Sequence, residues 1–570
     1  MVRRTAAQEP PQIVRMRTGM EVQVTPLSER LAAPVRPILL ILLSSVGLLL
    51  IMCCVNVASL QMARGAVRQK EVGVRAALGA SRLRLAWQLL TESLVMAMVA
   101  IPVALLVGFA GLRALRALGP PQIPHLESVR LDSTVLLFTL FVTAMTDILF
   151  GLSPAIFASR TEPNEALKQG GRQSPGHGQH CVPSVLVTAE IALAVVLLVG
   201  SGLLARSFIH LTFVDPGFDP HYLLTLRLSL SGAEYSKPEQ QAAFFGQLLE
   251  RLKALPGIQS ADAGSGLPVL GWGSLRGTNV EGKPQMPVGM RPDVPCDVVS
   301  SGYFRTLGIP LFVGREFSEQ DRQGTPQVAV VNRAFVHQFF PNENPLGKHV
   351  GAGAQTGPWR EIVGVVGNVR QLGPDHVESP GIYIPYLQEP ASDMSLVLRA
   401  SGNPQASIGP VREAVQEVDA NQPVYDVATM DQRLSESIAP QRFNALLIGV
   451  FAVVALGLGA VGIYGVLAYS VTQRTHEIGI RMALGAQHQD VVELVLRHGV
   501  LLVVFGIGLG VAGALAMTQF LSSLLYGVKP TDPLTFIAVS LILTSVALMA
   551  SYIPARRATK VDPMVALRHE

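Results

Sequence analysis

Seven long apolar runs constrain this chain most strongly. Each is close to the roughly 20 residues that an α-helix needs to cross the hydrocarbon core of a bilayer. The 570 residues are 49% hydrophobic and only 15% charged, a combination that is rare among soluble proteins and favours an integral membrane protein. The predicted spans are residues 38–62, 92–117, 134–157, 184–205, 443–470, 494–519 and 534–554.

Basic residues between the spans predict the orientation of the chain. The loop between the first two spans contains six Lys and Arg residues and one acid, Glu71. The segment after the third span, with Arg160 and Lys168, and the C-terminus are also basic. Short cytoplasmic loops carry the excess of Lys and Arg, so we expect these stretches in the cytosol and residues 1–37 and 209–440 outside. The N-terminus is then outside without a visible signal peptide.

One cytosolic phrase occurs twice. Residues 68–80 read RQKEVGVRAALGA, and residues 474–486 read RTHEIGIRMALGA. Each copy follows an apolar run, and a second shared phrase closes each half, at 154–168 and 554–568. A repeat at this separation indicates a duplicated membrane module rather than a short-period solenoid.

The repeated phrase places an acid and a base four residues apart, the spacing at which helix neighbours pair. Its glycines let another backbone approach closely. A single copy would suggest a basic anchoring loop with surface ion pairs, which stabilise little. Two copies in register favour a shared docking role. The candidate docking residues are Glu71, Gly73, Arg75, Gly79, Glu477, Gly479, Arg481 and Gly485.

The outer block 209–440 is rich in Gly, Pro and charged residues, and it predicts an α+β domain with its own core. Residues 223–230 alternate like a half-buried strand, and 238–255 have the pattern of an amphipathic helix. A strand over 328–332 runs into a helix that ends at 340. Further strands are predicted at 361–369, 382–386, 395–399 and 423–427, and a further helix near 404–419.

Three acids lie in or near the predicted spans. Glu92 is expected near a helix start, where the helix dipole favours a negative charge. Glu190 is expected at a similarly shallow position, and Asp147 is the deepest of the three. For Asp147 a hydrogen bond between packed helices is favoured over a proton or substrate role.

No sequence of the form Gly-x-x-x-x-Gly-Lys-[Ser/Thr] occurs, so ATP hydrolysis is expected from another polypeptide. We expect no catalytic, metal or cofactor site in this chain. His177 and His180, in the linker 170–183, lack further ligands at metal-binding spacing. Cys296 is the only cysteine of the outer block, which excludes a disulfide within that block.

The repeated and closing phrases and the outer block resemble the permeases of the MacB/FtsX/LolCE type, the type VII ABC transporters. VVNRAF at 330–335, NPLGK at 344–348 and GVVG at 364–367 are similar to the MacB-like periplasmic core. The duplicated arrangement is similar to the tandem MacB-like permeases of acidobacteria. The resemblance covers nearly the whole chain. It implies a membrane all-α bundle of about seven transmembrane helices in two FtsX-like repeats, plus an α+β MacB-like periplasmic domain with an inserted subdomain near 290–390.

The resemblance also implies a function. The chain would be the permease subunit of an ABC transporter in the bacterial cytoplasmic (inner) membrane, and not itself an enzyme. A separate cytosolic ATPase dimer would bind ATP and contact the eight candidate docking residues. The motion would reach the periplasmic domain and drive export of hydrophobic, peptide or lipid-linked cargo. Membrane lipid and a periplasmic adaptor are the other expected partners, and nucleic acid is not.

Two alternatives remain open: an FtsX-like regulator of periplasmic partners that transports nothing, and an inactive truncated permease. The second arises because full tandem members begin with a membrane helix and a first periplasmic domain, whereas residues 24–31 here correspond to 427–434.

The predicted domains are a remnant of a first periplasmic domain (1–37), a first FtsX-like module (38–158), a cytosolic linker (159–183), a transmembrane helix (184–208), the periplasmic core (209–440) and a second FtsX-like module (441–570).

Overall fold

A computed structural model describes residues 26, 29, 36–67, 82–119, 129–145, 178–287, 290–352, 358–376, 378–473, 487–522 and 525–558. Most of one compact unit, the outer domain, comes from Leu211–Ala439. The helices before and after it form the other unit, the helical unit.

The α-helices of the described residues are α1 (Arg36–Val67), α2 (Arg82–Leu118), α3 (Ser133–Met145), α4 (Gly178–Phe213), α5 (Pro238–Lys253), α6 (Tyr303–Leu307), α7 (Arg333–Phe339), α8 (Ile408–Val418), α9 (Met430–Ser437), α10 (Ala439–Gln473), α11 (His488–Leu521) and α12 (Pro533–Ala558). The β-strands are β1 (Leu223–Ser229), β2 (Ile258–Gly264), β3 (Ser274–Val280), β4 (Asp293–Val299), β5 (Leu311–Gly314), β6 (Val328–Asn332), β7 (His349–Ala352), β8 (Trp359–Val366), β9 (Ile382–Pro385), β10 (Asp393–Ala400) and β11 (Tyr425–Thr429).

Six of the seven predicted spans are confirmed by helix length and hydropathy. An apolar segment in lipid must satisfy its own backbone hydrogen bonds, and a helix does so within one segment. The predicted span 134–157 begins with the shorter apolar helix α3, and its remaining residues lie outside the described part of the chain. The membrane-competent stretches are Arg36–Gln61, Met98–Leu118, Ser184–Phe213, Ala439–Ala468, Gly499–Met517 and Pro533–Pro554.

Helix α4 lies at the centre of the helical unit. Its Ile191, Ala194 and Leu203 are each at most 1% exposed. The apolar side chains of α2 point outward instead: Val99 is 68% exposed and Leu106 is 70% exposed. An apolar helix exposed in this way is suited to a lipid environment.

Two glycines of α11 allow it to pack closely on α4. A Cβ atom at Gly506 would lie 2.6 Å from Ile191 Cγ2, and one at Gly510 would lie 2.6 Å from Val195 Cβ and 2.8 Å from the carbonyl oxygen of Ala192. Small residues four positions apart are the usual means of close helix approach in membranes. Sequence analysis did not single out this pair.

We expect Gly506→Ala and Gly510→Ala to destabilise the protein by about 1–3 kcal/mol each, because the added methyl group overpacks the α4–α11 contact. The measurement is the midpoint of thermal unfolding of the full chain in detergent micelles. Gly508→Ala is the matched control, since a Cβ atom there meets nothing within 4 Å. Equal midpoints for all three variants would contradict the close packing.

The outer domain contains a four-stranded antiparallel sheet in the order β11–β1–β10–β2. Its chain order, β1–α5–β2–β10–α8–β11, is that of a ferredoxin-like split βαβ unit. Phe245 and Leu248 of α5 and Val411 of α8 pack with Leu226 and Leu396 of the sheet in one buried cluster. The predicted strand at 223–230 and the predicted helix at 238–255 are both confirmed.

A second subdomain, β3–β9, is inserted between β2 and β10. Six of its strands pair in the closed circuit β4–β3–β7–β8–β6–β9–β4, and β5 pairs with β8. Closure removes the free edges that these six strands would otherwise expose. The predicted strand and helix at 328–340 are confirmed as β6 and α7. Strands β3, β4, β5 and β7 were not predicted.

A partly buried ion triad links β3, β8 and the turn after β9. Glu389 accepts from Arg276 at 2.6 Å and from Arg360 at 2.7 Å, and the Arg360 side chain is only 3% exposed. Burial alone would raise the pKa of the Glu389 carboxyl, but the hydrogen bonds and charges of the two arginines hold it below its ordinary value. The triad therefore depends on all three charges.

Glu389→Gln should destabilise the outer domain by about 3 kcal/mol, because it leaves buried Arg360 without its countercharge. The matched control is Glu417→Gln, which breaks the salt bridge between Glu417 and Arg251 on an exposed surface. The length of that salt bridge, 2.6 Å, equals the distance between Arg276 and Glu389. That change should cost about 0–1 kcal/mol. The readout is the urea midpoint of tryptophan fluorescence in the full chain, and a similar loss in both variants would argue against the triad.

Candidate coupling site and outer domain

The eight predicted docking residues lie outside the described residues, but the helices that flank them are described. Helix α1 ends at Val67, and α2 begins at Arg82. Helix α10 ends at Gln473, and α11 begins at His488. Each copy of the phrase therefore lies between two helices that contain membrane-competent stretches, in equivalent places of the two repeats.

Both helices that follow the phrase start well before their apolar stretches. Helix α2 begins at Arg82 and its apolar stretch at Met98, whereas α11 begins at His488 and its apolar stretch at Gly499. The start of α11 is capped, because the backbone N–H of Gln487 donates to the Asp490 carboxylate at 2.8 Å. An acid in the first turn also suits the helix dipole.

The structure corrects the expectation for Glu92. Helix α2 begins ten positions earlier, at Arg82, so Glu92 does not lie near a helix start. The dipole effect falls off within the first turn and does not stabilise a charge at this position. Asp147 lies outside the described residues.

Two helices connect the outer domain to the helical unit along the chain. Helix α4 enters the domain near Leu211, and α10 leaves it at Ala439. The 35 residues of α10 form one helix that ends at Gln473, directly before the second copy of the phrase. At 1.5 Å per residue this helix is about 52 Å long.

A buried acid lies where the two subdomains of the outer domain join. Strand β2 meets β4 through the single pair Gly264 and Val299. Asp297 of β4 is 0% exposed; it accepts from the Gly273 amide at 2.6 Å and from Gln371 Nε2 at 3.1 Å. Burial raises the pKa of the Asp297 carboxyl to about 7, although hydrogen bonds from Gly273 and Ser265 favour the charged form.

The inserted subdomain carries an open polar cleft of about 510 Å³. It lies at the carboxyl ends of the parallel strands β6 and β8. Asn368 Oδ1 accepts from the Ala334 amide at 2.8 Å, and Arg370 donates to the His376 carbonyl at 2.8 Å. Sequence analysis missed this cleft because its polar residues come from two distant segments.

Among the described residues, no group of three or more His, Cys, Asp or Glu side chains could hold a metal ion.

The fold and the chain order define a membrane permease whose α+β outer domain is inserted between two helical halves. Two family models match: the FtsX-like permease C-terminal model at residues 40–163 and 449–563, and the MacB-like periplasmic core domain model at residues 191–418. The chain thus carries FtsX-like permease segments on both sides of a MacB-like periplasmic core domain, as its repeats and outer phrases predicted, and six of its described helices are long and apolar enough to cross a membrane.

Curated relatives agree with this assignment. The macrolide export ATP-binding/permease protein MacB 2 of Aeromonas hydrophila is 30% identical over 285 residues, which are 48% of this chain and 43% of that protein. The probable syringafactin export ATP-binding/permease protein SyfD of Pseudomonas syringae is 28% identical over 290 residues, 49% of this chain and 42% of that protein. The chain thus spans less than half the length of these relatives.

Among solved structures, the periplasmic region of MacB from Actinobacillus actinomycetemcomitans matches 38% of this chain and 92% of its own length, with 18% identity and a TM-score of 0.27.

Asp297 should make the stability of the outer domain depend on pH. Its folded pKa of about 7 lies above the ordinary 3.8, so the folded state holds a proton that the unfolded state releases. The contribution of Asp297 to stability should be greatest at low pH and fall from about pH 4 to about pH 7, by at most about 1.4 kcal/mol per pH unit.

The measurement is the urea midpoint of tryptophan fluorescence across that pH range, in the full chain and in Asp297→Asn. In Asp297→Asn most of the decrease in stability with rising pH should disappear. Asp293→Asn, at the exposed start of the same strand, is the control and should keep it. An unchanged pH profile in Asp297→Asn would refute the assignment.

Proposed function

We propose that this chain is the membrane subunit of an ABC-type export complex driven by a separate cytosolic ATPase dimer. ATP would bind to that partner, and this chain would have neither a cofactor nor an enzymatic activity of its own. Glu71, Gly73, Arg75 and Gly79, with their second-repeat counterparts Glu477, Gly479, Arg481 and Gly485, would form the two contacts with the ATPase.

The observation that carries the proposal is the continuity of α10. It runs without a break from the outer domain to the residue before the second phrase. A rigid element of about 52 Å can transmit a displacement at its cytosolic end to its outer end. If the phrase only anchored a loop at the membrane surface, it would not need an unbroken helix between it and the outer domain.

Helix α11 supplies a second route for the same motion. It follows the second phrase, and its Gly506 and Gly510 lie against α4, which leads into the outer domain. Close packing makes such a contact respond to displacement as a unit. The two chain connections of the outer domain can therefore both respond to the second phrase.

The names of the relatives favour export over a purely regulatory role. Their names assign macrolide export and pyoverdine export to two of them, and probable syringafactin export to a third. Export of a hydrophobic, peptide or lipid-linked compound is the corresponding proposal for this chain. The outward-facing apolar side chains of α2 support lipid as its surroundings, and the polar cleft of the outer domain is the proposed contact for a periplasmic adaptor.

Charge reversal in both phrases, Glu71→Arg with Glu477→Arg, should abolish co-purification of an ATPase with the full chain from its native membranes. The reversed charge turns an attraction at each contact into a repulsion. Co-purifying proteins are identified by mass spectrometry, and ATP hydrolysis is measured in the same fractions.

The matched control is Glu413→Arg, a charge reversal at an exposed position of α8 in the outer domain, which should leave the ATPase bound. Wild-type chain that is folded and abundant but carries no ATPase would overturn the proposal. Loss of the ATPase in the control as well would show a general loss of folding instead of a broken contact.

A further inference from the structure

A buried acid and a buried amide form a pair inside the helical unit, where α1, α4 and α10 meet. Glu190 of α4 is 0% exposed, and Asn56 of α1 is 5% exposed. Asn56 Nδ2 donates to Glu190 Oε1 and, at 3.1 Å, to the Leu458 carbonyl oxygen of α10. The sequence predicted the depth of Glu190 along its span but not this enclosure by three helices.

The two acceptors fix the orientation of the Asn56 amide. Turning the amide over would place its oxygen against the Glu190 carboxylate and the Leu458 carbonyl, where no donor is available. Asn56 Oδ1 must therefore face away from both. It then needs a donor of its own, because an unpaired buried carbonyl costs about 1–3 kcal/mol.

Two oxygens of this pair lack a donor. Asn56 Oδ1 and Glu190 Oε2 are buried, and neither has a hydrogen-bond partner among the described residues. Both face the same point on α10: a Cβ atom at Gly462 would overlap Glu190 Oε2 and lie 2.9 Å from Asn56 Oδ1. Two acceptor oxygens that lie beside the same point in an enclosed site can both be satisfied by a single proton, covalently bound to one and donated to the other.

We propose that Glu190 and Asn56 form a proton-binding site in the membrane bundle. The proton is bonded to Glu190 Oε2 and is donated to Asn56 Oδ1, while Asn56 Nδ2 donates to Glu190 Oε1. Acid and amide then form a ring of two hydrogen bonds with no net charge. A neutral acid avoids the large cost of an ionised carboxylate within the bilayer.

The described residues around the site supply no countercharge that could replace the proton. Among the described residues, the titratable side chain that interacts electrostatically with Glu190 is the Cys53 thiol of α1. A thiol supplies no positive charge. From α10 the site receives the Leu458 carbonyl and the bare Gly462 backbone, neither of which is charged.

The site gives the helices a proton-linked contact. If α10 moved away from α4, Asn56 would lose the Leu458 carbonyl and water would reach Glu190. The O–H bond of the acid would then break, the proton would pass to water, and a carboxylate would remain. Closing the helices again requires that carboxylate to take up a proton. This property is independent of any ATPase partner and goes beyond the proposed function.

Infrared spectroscopy of the full chain in detergent micelles at neutral pH tests the proposal. A protonated carboxylic acid has a carbonyl-stretch band above the amide band. We expect this band in the difference between the wild-type and Glu190→Gln spectra, because the signal of Asp297, a carboxyl whose pKa is raised by burial, is common to both and cancels. Glu190→Gln can keep both hydrogen bonds as an amide–amide ring. Glu493→Gln, at an exposed position of α11, should retain the band.

Asn56→Leu provides an independent readout if Glu190→Gln does not fold. The acid loses both hydrogen bonds to the amide, so its band should move to higher frequency. A difference spectrum between the folded wild type and folded Glu190→Gln that lacks the band would overturn the proposal. An unmoved band in Asn56→Leu would equally overturn the pairing.

Discussion

The burial of α4 is the constraint on which the helical unit depends. A helix surrounded by other helices cannot rely on water or lipid contact, so every neighbour must fit its surface. Glycines of α10 and α11 approach it, and a Cβ atom at Gly202 of α4 itself would lie 2.8 Å from Thr535 of α12. Arg206, near its outer end, pairs with Asp532 just before α12. These contacts fix the central helix on several sides, and the same helix is one of the two connections to the outer domain.

The membrane part of the fold was largely predictable from the sequence, because apolar length alone specifies a spanning helix. The contacts between those helices were not. Gly506 and Gly510 look like any other glycines in an apolar run until α4 is placed beside them. The enclosure of Glu190 was not predictable for the same reason: its distance from the end of the span was readable, but its contacts with α1 and α10 depend on residues far away in the chain. The docking residues remain a prediction from the repeat.

In the outer domain, the strands that could be predicted were those with a clear apolar pattern in their own sequence. Apolar and polar residues alternate in strand β1. Strand β6 is an apolar run that ends at Asn332, which caps the following helix. Both strands were therefore recognised. Strand β3 contains Gly277 and Asn279, and β4 contains Pro295, all of which argue against a strand locally. Their strand form comes from pairing with each other and with β7 and β9. The buried acid Asp297 and the polar cleft depend on this long-range closure as well.

The position of β1 in its sheet has a consequence for how the protein is made. Leu223 pairs with Arg399 in β10, and Leu224 pairs with Thr429 in β11. During synthesis β1 emerges long before either partner, so both of its edges stay open while the whole inserted subdomain is translated. Such long sequence separations slow folding, and unpaired edges promote aggregation. The closed circuit β3–β9 has its pairings within one continuous segment and can form first. The ferredoxin-like sheet is then completed last, when β10 and β11 emerge just ahead of α10.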